Sequence, residues 1–370
     1  MRILIANDKF KGSLAAEKAG FHLKNSLESV FPGAIIDICP IADGGEGTAL
    51  AMTTALAGEW VHAQTEDAHG RPLEAPFGWV ASSATAVMEM SAASGLALVQ
   101  DIELNPFKAS TLGTGILIQS ALRKGARRLL IGIGGSATND GGLGVALALG
   151  YQFKRHGQDF TPTLETLLEA DQVVRPTALP SFELIVACDV DNPLLGPHGA
   201  TRVYGPQKGV RDFAWFEQRL AHLADLARRD LGGDPRDIPG AGAAGGLGFG
   251  LMAFLGGRLV SGFDMVASQV GLEARVAAAD LVITGEGRLD AQSLQGKGPV
   301  GVARLARQLG KQIVGVAGSV DDSAELRAQF DLLIGIKPAA MPLDEAMRRT
   351  GELLESAVRA HAAPLRALSS

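Results

Sequence analysis

The sequence predicts an α/β fold in two domains, and three observations predict it. Seven short apolar runs, each ending in a polar or glycine-rich loop, are spread from the first residues to the last hundred. Helical patterns separate them. The stretch from about Trp60 to Met90 has a shorter, more alternating texture. Strands buried on both faces of a parallel sheet read as unbroken apolar runs, and strands alternating with helices define the α/β class. The expectation is a Rossmann-like parallel-sheet domain made from both chain ends, residues 1–62 and 265–370. A second α/β domain, residues 63–264, with a mixed sheet and glycine-rich loops, is inserted between them.

In chain order the runs are Ile3–Ala6, Ile35–Ile38, Leu129–Ile133, Leu184–Ala187, Leu281–Thr284, Ile313–Ala317 and Leu332–Ile336. Ser13–Phe31 reads as a helix, with Ser13 as N-cap and Pro32-Gly33 as the stop. Thr111–Lys124 reads as a helix leading into the third run, and Pro299–Leu309 as one ended by Gly310. Asp212–Arg229 is amphipathic, with Phe213, Phe216, Leu220 and Leu223 at helical spacing. Val61–Thr65, Leu73–Val80 and Ala86–Met90 alternate and are joined by Gly- and Ser-containing turns, which predicts antiparallel strands.

Composition narrows the partners. The formal net charge of −6 comes with no long run of either sign, which argues against a nucleic-acid binder. No apolar stretch reaches the roughly 18–20 residues a membrane helix needs; Leu247–Val260 comes nearest and is broken by glycines and Arg258. The N-terminal segment has no signal-peptide pattern, so the cytoplasm is the expected location. Cys39 and Cys188 lack metal-ligand spacing and read as buried thiols in a reducing compartment. Monomer and homodimer both stay open. The 47 glycines are clustered rather than periodic, which predicts loops where backbone closely approaches a ligand.

No GxxxxGK[ST] loop and no strand-linked GxGxxG with its acid is present. Chemistry is instead concentrated at the ends of the apolar runs. The first ends in Asn7-Asp8-Lys9-Phe10-Lys11-Gly12-Ser13, a candidate anion site or a set of solvated lysines. The second leads into Asp43-Gly44-Gly45-Glu46-Gly47, where Asp43 could hold a cation or a substrate hydroxyl, or simply cap a turn. The third empties into Gly134-Gly135-Ser136-Ala137-Thr138-Asn139-Asp140-Gly141-Gly142, a candidate nest of backbone donors for phosphate, with a small-residue helix (Leu143–Leu149) behind it. The fourth carries Asp189 and Asp191, able to share a hydrated Mg²⁺ or to orient a hydroxyl, with Lys208 further on as a stabiliser of transferred charge. Glu286, Arg288 and Asp290 follow the fifth, with Lys297 in a Gly-Lys-Gly-Pro turn; the acids are candidates for metal and the cations for phosphate or carboxylate. The histidines form no pair, and no serine-triad elbow appears.

Together these segments resemble the bacterial type I glycerate kinases. IANDKFKGSL, PIADGGEGT, GIGGSATNDGG, ACDVDNPLLG, VYGPQKG, GAGAAGGLG, VITGEGRLD and GKGPVGVA stand in the family's order over roughly residues 1–320. The resemblance implies a two-domain α/β fold unrelated to Walker-type kinases, with glycerate and ATP as substrates and Mg²⁺ as cofactor. It also implies 2-phosphoglycerate as product. Two positions depart from the family's APDSFK: Asn7 stands for its proline and Lys9 for its serine, adding a charge beside Asp8.

On this reading Gly134, Gly135, Ser136, Thr138, Asn139, Gly141 and Gly142 take the nucleotide. Asp189, Asp191 and Lys208 are catalytic, with Asp189 the preferred base. Asp8, Lys11, Asp43, Gly44, Gly45, Arg288 and Lys297 bind substrate, and Asp189, Asp191, Glu286 and Asp290 hold metal, in an interdomain cleft. A kinase for another small hydroxy acid or polyol, and a non-catalytic small-molecule regulator, are the alternatives.

Overall fold

The computed structural model describes residues 1–42, 47–290, 293–295, 298–321 and 323–368. Its strands, in chain order, are β1 (Arg2–Ile5), β2 (Ile35–Ile38), β3 (Glu59–Glu66), β4 (Pro72–Val80), β5 (Thr85–Glu89), β6 (Arg128–Gly132), β7 (Gln152–Arg155), β8 (Gln158–Phe160), β9 (Gln172–Val174), β10 (Glu183–Ala187), β11 (Arg258–Val260), β12 (Leu281–Leu289), β13 (Gln312–Val320) and β14 (Leu332–Gly335). The chain divides into two units: Met1–Asp43, Leu50–Leu56 and Phe263–Ser370 form the first, and Gly44–Ala49 with Ala57–Gly262 the second. The first unit is thus a parallel-sheet domain drawn from both chain ends, as the apolar runs predicted.

The first unit's sheet runs β14-β13-β12-β1-β2, parallel throughout. Its core is built from inward residues of those strands, such as Ile3, Ile5, Ile283, Val314 and Ile334, and from the helices Ala16–Val30 and Thr350–Ala360. Leu27 and Leu354 are fully buried in that helix layer; each contributes about 1.5–3 kcal/mol relative to an exposed position. Chain order moves from β1 to β2 on one side and resumes at β12 on the other, so the carboxyl ends of β1 and β12 flank the reversal point where open α/β sheets bind ligands. β12 and its parallel neighbour β13 lie so close that a Cβ on Gly285 would sit 1.9 Å from the Val316 carbonyl oxygen.

The second unit holds a six-stranded sheet, β11-β10-β6-β5-β4-β3. β3, β4 and β5 pair antiparallel, as the alternating texture of residues 60–90 predicted, and β5, β6, β10 and β11 continue in parallel. A small antiparallel sheet, β8-β7-β9, is additional to the expectation. Its strands, QFKR, QDF and QVV, are too short and polar to leave a period in the sequence.

Two local expectations are corrected. The first helix begins at Ala16 with Ala15 at its N-cap, not at Ser13. The Ser13 hydroxyl instead donates toward the Met347 carbonyl and Thr350 Oγ1, tying the β1 turn to the C-terminal helices. The glycines of residues 240–250, expected as a ligand-facing loop, lie in and before the helix Ala243–Leu255, which turns left-handed at Ala244, Gly245 and Gly246. Cys39 is buried, and burial pushes its thiol up to about 11; Cys188 is half-buried.

Candidate active site

In the second unit the parallel strands end in Glu89, the 133–142 loop, Asp189 and Gly262. The loop is sharply divided. Gly134 and Gly135 are exposed, whereas Ser136 through Gly142 are buried. The buried half is sealed by protein. Asp140 accepts from the Thr111 amide at 2.8 Å, Thr111 Oγ1 at 2.9 Å, the Gly142 amide at 3.1 Å and the Gly144 amide at 3.2 Å. One carboxylate therefore fills the N-terminus of the helix Leu143–Ala148 and also binds the N-terminal Thr111 of the helix Leu112–Arg123. The positive end expected to face phosphate is neutralised from within.

Glycine is required here for backbone-to-backbone packing. The Gly141 amide donates to the Gly245 carbonyl at 3.1 Å, and a Cβ on Gly245 would lie 2.0 Å from the Thr138 carbonyl oxygen. A Cβ on Gly250 would meet the Gly141 carbonyl oxygen at 2.5 Å. Gly141 and Gly142, expected at the nucleotide, are thus inside the fold. Asn139 is also buried, its amide donating to Thr201 Oγ1. Its Oδ1 and the Thr138 hydroxyl are buried without a hydrogen-bond partner. Among the expected nucleotide residues, Gly134 and Gly135 are exposed, with the buried Ser136 next to them.

Lys208, expected to face the transferred phosphoryl group, is 1% exposed. Its ammonium donates to Ser136 Oγ at 2.6 Å and to the Thr138 carbonyl at 2.7 Å, gripping the loop from inside. Burial lowers its pKa to about 7, with Asp140 opposing that fall. Asp140 itself is pushed upward by burial, against the donors that surround it. Asp189 is half-buried, and its Oδ1 accepts from the Gly262 amide at 3.0 Å; Asp191 is exposed. Glu89 escaped the sequence reading. Its Oε1 accepts from the Gly47 and Ala49 amides at 2.9 and 3.0 Å. The sequence signal was a lone acid ending an apolar strand, with no glycine next to it.

In the first unit one cavity of about 810 Å³ opens at the carboxyl ends of β1, β12 and β13 and the β14 edge. It brings together Asp8, Lys11, Glu286, Arg288 and Asp290 from two distant stretches of sequence. The register is set by the Asp8 amide, which donates to the Gly285 carbonyl at 2.8 Å. Asp8 is 6% exposed, and Asn7 braces the turn by donating to the Asp8 and Ala16 carbonyls. Glu286 Oε1 accepts from Ser293 Oγ at 2.8 Å, and Arg288 pairs with Asp290 at 3.2 Å and Asp321 at 3.3 Å. Asp43, Gly44, Gly45 and Lys297 lie outside the described residues.

No group of three or more His, Cys, Asp or Glu side chains converges on a metal position among the described residues. Mg²⁺ is commonly held by one or two carboxylates plus phosphate oxygens. Asp8 and Glu286, on adjacent strand ends in one cavity, are such a pair. No helix among the described residues is long and apolar enough to cross a membrane.

Comparison with known proteins agrees with this architecture. The family model described as the glycerate kinase family matches residues 3–366. A Bacillus subtilis protein described as glycerate kinase is 44% identical, over 99% of this chain and 98% of its own length. An Escherichia coli protein described as glycerate 2-kinase is 41% identical, over 94% of this chain and 93% of its own. A solved Salmonella typhimurium LT2 structure, provisionally described as glycerate kinase 2, superposes with a TM-score of 0.89 at 38% identity, covering 99% of this chain and 98% of its own. The chain belongs to the glycerate kinase family and is an enzyme that phosphorylates glycerate.

Proposed function

We propose that the chain transfers the γ-phosphoryl group of ATP to the 2-hydroxyl of D-glycerate, with Mg²⁺ as cofactor and 2-phosphoglycerate and ADP as products. The observation that carries the position of attack is the 41% identity to the E. coli protein described as a glycerate 2-kinase.

Phosphoryl transfer needs in-line positioning and charge neutralisation more than covalent help from the protein. The 2-hydroxyl oxygen attacks the γ-phosphorus, the bond to the β,γ-bridging oxygen breaks, and ADP leaves with that electron pair. Asp189 takes the hydroxyl proton in this account. Its orientation is fixed by the Gly262 amide, and it stands at the end of a buried strand. Asp191, two residues on and exposed, is the second candidate. Lys208 acts as a positioning residue: it holds the buried Ser136 and thereby sets the open Gly134–Gly135 edge against an anionic group. Lys11 and Arg288 neutralise carboxylate or phosphate oxygens. Asp8 and Glu286 would hold Mg²⁺, which supplies further neutralisation of phosphate charge when bound.

Phosphorus NMR of the product made from D-glycerate, ATP and Mg²⁺ tests this reading. Phosphate on the 2-oxygen couples to one methine proton and gives a doublet. A triplet, from coupling to a methylene, would mean attack by the 3-hydroxyl.

A further inference from the structure

The first unit's cavity is the wrong size for glycerate alone. At about 810 Å³ it falls within the roughly 300–1,000 Å³ typical of sites for drug-sized ligands, far beyond what a three-carbon acid fills. Its walls are also of two kinds. Phe10, Ile336, Leu343, Met347 and Leu353 contribute apolar atoms to the lining. Lys11, Arg288 and Lys337 contribute positive charge, together with the Asp8 and Glu286 carboxylates. A three-carbon hydroxy acid has little use for five apolar residues. A nucleotide has use for both kinds: its base for the apolar groups, its phosphates and their metal for the charged ones.

The 133–142 loop, the expected phosphate nest, is poorly suited to a triphosphate. Asp140 already fills the adjoining helix N-terminus, and Gly141 and Gly142 are covered by Leu220, Leu223 and Gly250. Only Gly134 and Gly135 remain open, an edge suited to a smaller anion.

We propose that the cavity at the carboxyl ends of β1, β12 and β13 is the nucleotide site, with the adenine ring against Phe10, Ile336, Met347 and Leu353 and the phosphates toward Lys11, Arg288 and Lys337. This rests on the reading of the chain as an ATP-dependent kinase and reassigns the nucleotide within it. The cavity sits at the sheet's reversal point, where crevices in open α/β sheets bind ligands. Gly287 is part of its lining. A Cβ on Gly287 would come within 3.3 Å of the Lys11 amide, so the glycine lets the two cation-bearing turns lie side by side.

Photolabelling of the full chain with 8-azido-ATP, followed by peptide mapping, tests the assignment directly. The expected label falls within residues 336–353 or 9–13 and is suppressed by ATP but not by glycerate. Label confined to residues 134–142 would overturn it. Calorimetry with ADP gives a second readout without turnover. Leu343→Asp, at a position 63% exposed and so safe for folding, and Arg288→Glu should each weaken ADP binding at least fivefold. Unchanged ADP affinity in both variants would also overturn the assignment. The two readings fail separately. A chain labelled at 336–353 that makes no phosphoglycerate keeps the site and loses the reaction. A chain that makes 2-phosphoglycerate but labels at 134–142 does the reverse.

Discussion

Replacing Lys208 by methionine separates a stability effect from a catalytic one. The lysine ammonium makes two buried bonds, to Ser136 Oγ at 2.6 Å and the Thr138 carbonyl at 2.7 Å. Charge-assisted bonds of this kind are worth roughly 1.5–3 kcal/mol each. Against them stands the cost of burying the charge, which shows as a pKa lowered to about 7. At neutral pH these terms largely cancel, and Lys208→Met should leave stability within about 2 kcal/mol of the parent. The pH slope does not cancel. The folded pKa lies below the unfolded value, so between the two the unfolded chain binds more protons and stability rises with pH. The stability associated with Lys208 is full above the unfolded value and is lost as pH falls through the folded one. From about pH 7 to about pH 9 the parent should gain about 2 kcal/mol from this residue alone, and the methionine variant should lack that gain. Urea unfolding at the two pH values reads it. Turnover should fall about 100-fold, because Ser136 loses its tether. A variant whose unfolding midpoint climbs with pH as steeply as the parent's would refute the burial argument.

Three further outcomes follow from the geometry. Asp140→Ala strips four donors of their acceptor and should cost about 3–5 kcal/mol, measured by denaturant unfolding; a loss under about 1 kcal/mol would mean water replaces the carboxylate. Gly285→Ala forces a methyl carbon to within 1.9 Å of the Val316 carbonyl and should destabilise the first unit by more than about 3 kcal/mol, visible as early proteolysis of the chain ends. Asp189→Asn keeps an acceptor for the Gly262 amide, so circular dichroism should be unchanged while kcat drops about 100- to 10,000-fold; near-normal turnover would remove Asp189 as the base.

The parts of this molecule that were legible in its sequence are those where burial leaves a one-dimensional trace. β1, β6, β10 and the first halves of β12 and β13 are buried, so each is a continuous apolar run. β7, β8 and β9 form an outlying ribbon, and their residues carry no comparable run. At the site, strand ends where an acid is grouped with a second acid, a cation or glycines pointed to Asp8, Asp189, Glu286 and Asp290, whereas Glu89 stands alone among Met, Ser and Ala and was passed over. The glycines of 141–142 and 245–250 misled for the opposite reason. Close approach to a ligand and close approach to another backbone demand the same residue, and only the packed structure says which occurs. Ser13 has N-cap chemistry, but its hydroxyl meets Met347 and Thr350 instead, a long-range preference no local pattern records.

The central claim, phosphorylation of glycerate at its 2-hydroxyl, meets its most direct test in a coupled reaction with enolase alone. Enolase dehydrates 2-phosphoglycerate and does not act on 3-phosphoglycerate. With D-glycerate, ATP and Mg²⁺, the account predicts immediate formation of phosphoenolpyruvate without any phosphoglycerate mutase. Formation only after mutase is added would contradict it.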